Sequence, residues 1–223
     1  MTSRKKSPRV FFTADTHFGD ERVLTELERP FNSVAEHDVE IIRRINKSVR
    51  ANDVLFLLGG LADCTEDGDF AERMRHMLQC VRDIDASVVL VPGYADPVSP
   101  WLSQRAMAVW DNSLRSAMKV WYGPSNMYLL ARRDLCVEAS LCHVPTTQET
   151  EDDGTLYLRP SVSIGTENVI LHGHTHYSSP LTRAPGGQLQ VDVGLDAWNY
   201  RPVSSREVVD LWVSHNSDRT LRP

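Results

Sequence analysis

Asp15 and His17 stand two residues apart, and so do His174 and His176; these are the side chains whose types and spacing point most directly to metal chemistry. In extended backbone, i and i+2 side chains leave the same side of the chain. Two imidazoles and a carboxylate gathered in this way make a face suited to a first-row divalent cation. A DxH or an HxH by itself arises often by chance. Here, however, Asp15 follows VFFTA directly, His174 lies just beyond NVIL, and His143 follows EASLC, so each polar group sits at the end of an apolar run. Gly60 to Asp63 after VLFLLG and Gly93 to Asp96 after SVVLVP repeat the arrangement.

Those runs are the elements that must position the polar residues. Val10 to Thr13, Val54 to Leu58 and Ser87 to Val91 read as strands, and helical patterns at 34–49 and 70–81 separate or flank them. Val34, Ile41, Ile42, Ile45 and Val49 share one face of the first helix. The pattern then changes: Lys119 to Tyr122, Met127 to Ala131, Leu135 to Leu141, Asn168 to Leu171, Leu189 to Val193 and Glu207 to Val213 all read as strands. A parallel βαβαβ half followed by a meander predicts an α/β fold of two sheets packed face to face, with helices outside. Ligands in such sheets bind beyond the carboxyl ends of the strands, where loops from several strands converge. The separate polar clusters can therefore meet.

Composition narrows the class. At 223 residues, 41% hydrophobic, one large domain is the natural expectation: a flexible terminus over 1–9, a single domain over 10–215 and a tail over 216–223. Net charge is −6 and the isoelectric point about 5.7, which gives no general attraction for nucleic acid or anionic lipid. The Arg4, Lys5 and Lys6 cluster reads as a solvated terminus. Cys64, Cys80, Cys136 and Cys142 form no CxxC pair or regular ladder, so neither a zinc knuckle nor a disulfide framework is predicted and a reducing compartment fits. No secretory apolar stretch follows the N-terminal charges, and no run is long enough to span a membrane, so a cytoplasmic protein is expected. The acidic, Gly-containing segment 146–160 reads as a surface loop.

Taken in order, FTADTHFGD, LLGGLAD, VPGYADP, LCHVP and LHGHTH resemble the DxH, GDxxD, GNHD, H and GHxH motifs of the calcineurin-like metallophosphoesterases. THFG, ERPFNSVAEHD and the closing VDVGLDAWNYRPVS resemble one bacterial and phage branch of that family. The resemblance runs from residue 10 to 209. It implies a β-sandwich flanked by helices and phosphoester hydrolysis at two metals of the Mn, Fe, Zn or Mg class. By position, Asp15, His17 and His176 would hold one metal, and His143 and His174 the other. A pair of cations about 3.5–4 Å apart activates water and clamps the phosphoryl oxygens during in-line displacement.

The chain departs from the pattern at three of these positions. Gly60 stands where the family's aspartate bridges both metals, Tyr94 where an asparagine binds the second, and Ala95 where a histidine assists the leaving group. Asp20 replaces the histidine that often closes THFGH. Two dications about 3.5 Å apart repel by roughly 19 kcal/mol at an effective dielectric of about 20 before ligands compensate. Gly60 supplies no compensation. Two imidazoles alone are too few for the second metal, whereas three donors suffice for a weakened single site.

Asp63 and Asp96 read as groups that support a ligand or cap a loop rather than bind metal, and His172 as a structural residue or a partner of a ligand. Tyr94 is expected to fill the space of the absent metal with its ring. His37, His76 and His215 lie outside the motifs and are expected on the surface. Cys64 and Cys142 read as packing residues, and Arg201 as part of a turn. Two functions follow: weak hydrolysis of a phosphoester small molecule at one metal, or an inactive scaffold, with one metal or none, that binds a protein or a phosphorylated ligand. Neither substrate nor oligomeric state is written in these residues.

Overall fold

Short β-branched and aromatic runs give ten strands in two five-stranded sheets in the computed structural model of the protein, which describes residues 7–62, 69–93, 95–98, 112–121, 125–132, 135–146 and 168–216. In the first sheet β1 (Val10–Thr13), β2 (Val54–Leu58), β3 (Ser87–Val91) and β4 (Lys119–Val120) run parallel, and β10 (Val203–Ser204) pairs antiparallel with the free side of β1. The second sheet takes the order β5 (Ser125–Arg132), β6 (Leu135–Leu141), β7 (Asn168–His172), β9 (Leu189–Asp192), β8 (Leu181–Arg183). There β6, β7 and β9 are parallel, with an antiparallel strand at each edge. The α/β two-sheet architecture agrees with the pattern of the sequence, but the second half is not the expected meander, since β6, β7 and β9 pair in parallel.

The parallel strands are buried on both faces, which is why they read as continuous apolar runs. Phe11, Leu55, Leu57, Val88 and Leu90 pack on Ile41 and Ile45 of α2 (Val34–Ser48) and on Met74 and Met77 of α3 (Phe70–Arg82). Their neighbours Phe12, Phe56, Leu58 and Val91 face the other sheet and meet Val137, Ala139, Val169, Leu171 and Val191. Ser33 caps α2: its side chain accepts a hydrogen bond from Glu36 N at 3.1 Å, while Glu36 Oε2 accepts from Asn32 N at 2.9 Å. A single turn, α1 (Arg22–Thr25), follows the first site loop, and a short helix at 112–117 (α4) precedes β4.

The segment expected to be a last strand, Glu207 to Val213, is instead part of helix α5 (Ser205–Asn216). Its Val-Val and Leu-Trp-Val runs imitate a strand, but Val208, Val209, Trp212 and Asn216 are the buried positions, which is helical spacing. The local signal for this helix is a capping box: Ser204 Oγ accepts from Glu207 N at 3.2 Å and Glu207 Oε2 accepts from Ser204 N at 2.8 Å. Edge strands β8 and β10 were too short to read. No helix among the described residues is long and apolar enough to cross a membrane.

The sheets meet at the carboxyl ends of their central strands. Ala14, just after β1, forms an isolated parallel bridge with Gly194, just after β9. Gly173, just after β7, lies so close that a Cβ there would sit 2.6 Å from Asp15 Oδ2. Only glycine allows that approach, and it joins the loop of Asp15 to the loop of His174 and His176.

Candidate metal centre

The site loops leave their strands by left-handed backbone, not by the extended backbone expected from the i, i+2 spacing. Asp15, His17, His174 and His176 have φ of 59°, 47°, 75° and 52°. Four such non-glycine residues in one place are uncommon and are held there by the surrounding structure. Part of that hold is visible: Asp15 N donates to the Gly59 carbonyl at 3.0 Å and His17 N to the Gly60 carbonyl at 2.9 Å, which laces the loop after β1 to the loop after β2. Asp15 Oδ2 accepts from His174 N at 2.8 Å, which ties in the third loop.

One donor atom each from Asp15, His17 and His176 lies within 4.8 Å of the other two. Asp15 is buried, and its Oδ1 has no hydrogen-bond partner among the described residues. A buried carboxylate oxygen in that state costs about 1–3 kcal/mol unless something fills its coordination. The two imidazoles are oriented alike. His17 Nδ1 is 3.2 Å from Asp20 Oδ2, and His176 Nδ1 is 2.9 Å from Asp196 Oδ2. With Nδ1 engaged by a carboxylate, Nε2 carries the lone pair, the tautomer a cation requires. The donor set fits a divalent cation and does not specify which one.

Each orienting carboxylate is in turn clamped by an arginine. Arg22 donates to both oxygens of Asp20 at 2.9 and 2.8 Å. Burial works to raise the Asp20 carboxyl, but the hydrogen bonds from His17 and Arg22 outweigh it and hold it well below the carboxylate range. Arg29 donates to Asp196 Oδ1 at 2.9 Å and Oδ2 at 2.8 Å, and to the Asp15 carbonyl at 2.8 Å. Against burial, the hydrogen bonds of His176 and Arg29 bring Asp196 down to about 2. Arg29 and Asp196 were not recognised from sequence. Both lie inside stretches that drew attention, ERPF and GLDAW, but a lone Arg and a lone Asp carry no chemistry until they meet across 167 positions.

Beside this triad, the His143 and His174 rings stand edge to face with centroids 5.1 Å apart. His143 Nδ1 donates to the Leu58 carbonyl at 2.8 Å and lies 3.9 Å from Asp15 Oδ1. Burial and the proximity of His143 push His174 below the ordinary imidazole value. Among the described residues the pair joins no three-donor group. A Cβ on Gly60, whose φ is 66°, would sit 2.4 Å from Asp15 Oδ1, so that oxygen stands where a side chain at position 60 would begin.

Asp96 Oδ1 accepts from Leu61 N at 2.8 Å and Oδ2 from Gly93 N at 2.6 Å, locking the loops after β2 and β3 together. His172 Nδ1 donates to the Gly173 carbonyl at 2.9 Å, and burial keeps the ring below its ordinary pKa. Ala95 is exposed. Tyr94, Asp63 and Cys64 fall outside the described residues. His37 corrects an expectation: it is fully buried, because Arg29 and Asp38 engage both ring nitrogens at 3.0 and 2.8 Å.

The centre has a pH signature. Burial disfavours the His176 imidazolium, yet the hydrogen bond to Asp196 and the charge of Asp15 prevail and set its pKa above the ordinary 6.5. A raised pKa contributes stability that is fully present below 6.5 and is lost as pH rises through the folded value. The metal-free protein should therefore lose stability across that window. Manganese affinity should rise over the same window, because the cation must displace the His176 proton. Urea unfolding and Mn²⁺ titration at a series of pH values measure both, and His176→Gln should flatten both slopes.

No protein-family model matches the chain. The gene 66 protein of Mycobacterium phage L5 is 27% identical over 217 residues, covering 92% of this chain and 94% of that one. An uncharacterized protein of Methanocaldococcus jannaschii is 21% identical over 224 residues, covering 99% and 98%. Among solved structures, a protein of unknown function from Aquifex aeolicus superposes with a TM-score of 0.58 at 16% identity, over 92% of this chain and 100% of that one. That likeness shows a shared fold. A Pseudomonas putida nuclease, MPE, aligns over 81% of this chain and 66% of its own at 14% identity; its TM-score of 0.37 carries no argument.

Proposed function

We propose that this chain is a calcineurin-like phosphoesterase homologue whose Asp15, His17 and His176 hold one divalent cation and support at most slow hydrolysis of a phosphoester. The observation that carries this reading is the triad itself: three donors converge, a carboxylate backs each imidazole, and a buried Asp15 oxygen has no hydrogen-bond partner among the described residues. Motif order and strand-end placement supply the rest. A divalent cation at this centre would polarise a phosphoryl oxygen and lower the pKa of water. The protein's own part is to fix the Nε2 tautomers through Asp20 and Asp196, to present the buried Asp15 carboxyl beside the two imidazoles and to hold the His143 and His174 rings next to them. Gly60 supplies no bridging carboxylate of its own to offset the repulsion between two cations, so a single-cation state is favoured.

A second reading rests on the same glycine: Asp15 Oδ1 occupies the start of the bridging position, as it would in a scaffold that has ceased to hydrolyse. Elemental analysis and turnover of bis-p-nitrophenyl phosphate in Mn²⁺ separate the two. One metal per chain with slow turnover, both lost in Asp15→Asn and in His176→Ala, is the expected result. No metal and no turnover favours the scaffold, and two tightly held metals would refute the single-cation reading.

A further inference from the structure

A second group of potential ligands shares no residue with this centre. Asp38 on α2 and His76 and Cys80 on α3 each offer one atom within 4.8 Å of the others. His76 Nε2 is 2.6 Å from Asp38 Oδ2 and 3.5 Å from Cys80 Sγ. His76 and Cys80 are neighbours because they are four residues apart on one helix. The third donor comes from the other helix and is itself fixed from behind: Asp38 Oδ1 is 2.8 Å from His37 Nδ1, and Oδ2 accepts from Gly19 N at 2.9 Å.

From this geometry we infer that Asp38, His76 and Cys80 form a binding site for a zinc-class cation, distinct from the Asp15 centre. Sulfur is the discriminating atom. Zinc is borderline-soft and takes thiolate and imidazole in tetrahedral geometry, with protein-to-metal distances of about 2.0–2.3 Å. Asp15, His17 and His176 offer no sulfur, so the two sites differ in the cations they prefer. Cys80 and Asp38 are buried, which shields the sulfur, while the His76 side chain is 46% exposed and gives a path for entry and a position for water as fourth ligand. Burial and the neighbouring Asp38 and Asp83 carboxylates push the Cys80 thiol up to about 12, so ionisation there needs a cation alongside. The bond between Asp38 and His76 is the arrangement that the same ligands adopt with a proton between them. The cation would brace α2 against α3. It would also steady the loop of His17, because the His76 ring lies 3.0 Å from where a Cβ on Gly19 would be.

Cobalt(II) makes the test specific, since a thiolate bound to it gives a charge-transfer absorption that oxygen and nitrogen ligands do not. Metal-free protein titrated with Co²⁺ should develop this band at about one equivalent, and added Zn²⁺ should abolish it. Cys80→Ser should remove the band, and His76→Ala should weaken Co²⁺ binding about tenfold or more. Cys142→Ala and the double variant Asp15→Asn/His176→Ala should keep the band, which separates this site from the proposed catalytic centre. In the Asp15→Asn/His176→Ala background, where the other centre is removed, zinc should raise the melting temperature, and adding Cys80→Ser should abolish that rise, with far-ultraviolet circular dichroism confirming that each variant folds. Absence of the band in the wild type, or its survival in Cys80→Ser, would overturn the inference and leave the three residues as a hydrogen-bonded cluster.

Discussion

Arg29→Met is expected to destabilise the metal-free protein by about 3–5 kcal/mol, the range for removing one partner of a buried ion pair. Arg29 is fully buried, and methionine matches much of its length without its charge or donors. The loss leaves the Asp196 carboxylate, 13% exposed, without its two-pronged arginine, and takes a donor from the Asp15 carbonyl. Asp196 then holds His176 less firmly, so affinity for Mn²⁺ should fall about 10–100-fold, as is usual when the group behind a histidine ligand is disturbed. Arg29→Lys should rescue little, because an ammonium cannot serve Asp196, Asp15 and His37 from one planar fork. Urea unfolding and Mn²⁺ titration give the two numbers. The double variant Arg29→Met/Asp196→Asn should be more stable than Arg29→Met alone, since it removes the stranded charge. If Arg29→Met costs under about 1 kcal/mol and leaves affinity unchanged, this arginine does not organise the centre.

The need for Arg29 also shows where the sequence ceases to be legible. Parallel strands β1, β2 and β3 could be read because each is an unbroken apolar run, and the positions of Asp15, His17, His174 and His176 could be read because they follow such runs. Nothing local states that Arg29 will reach Asp196, because that pairing exists only once the two sheets join at Ala14 and Gly194. The left-handed φ at the four site residues was hidden for a similar reason. Asp and His tolerate that region better than most residues but do not demand it, and the backbone bonds to Gly59 and Gly60 decide the matter. His37 reads as a surface residue because it lies outside the motifs; its burial depends on Arg29 arriving from a different loop. Helix α5 was misread for the opposite reason, since its capping box was local and was outweighed by a β-branched run.

Introducing the residues of the calcineurin-like motifs at three positions, by Gly60→Asp, Tyr94→Asn and Ala95→His together, is expected on the proposed function to raise manganese content from one toward two per chain and turnover by about 100-fold. That factor corresponds to about 3 kcal/mol of transition-state stabilisation, within what a second cation supplies. Gly60→Asp carries the step, and it has a cost that can be measured. Position 60 has φ of 66°, and a Cβ would lie 2.8 Å from Asp15 Cα and 2.4 Å from Asp15 Oδ1. Left-handed backbone costs a non-glycine residue about 1–2 kcal/mol, less for aspartate, and two carboxylates in contact repel. Turning Oδ1 away disturbs the bond that Oδ2 accepts from His174 N, and the backbone at Asp15 Cα must shift as well, so both add to the cost. The variant should therefore be less stable than the natural chain without metal and more stable with it. Cation at 100 times its dissociation constant contributes about 2.7 kcal/mol for each added site, enough to reverse the order. Melting temperatures of both proteins in EDTA and in rising Mn²⁺ should cross. Curves that never cross, in a variant that is folded and still holds one metal or none, would mean that the loops after β1, β2 and β3 do not frame a two-cation site.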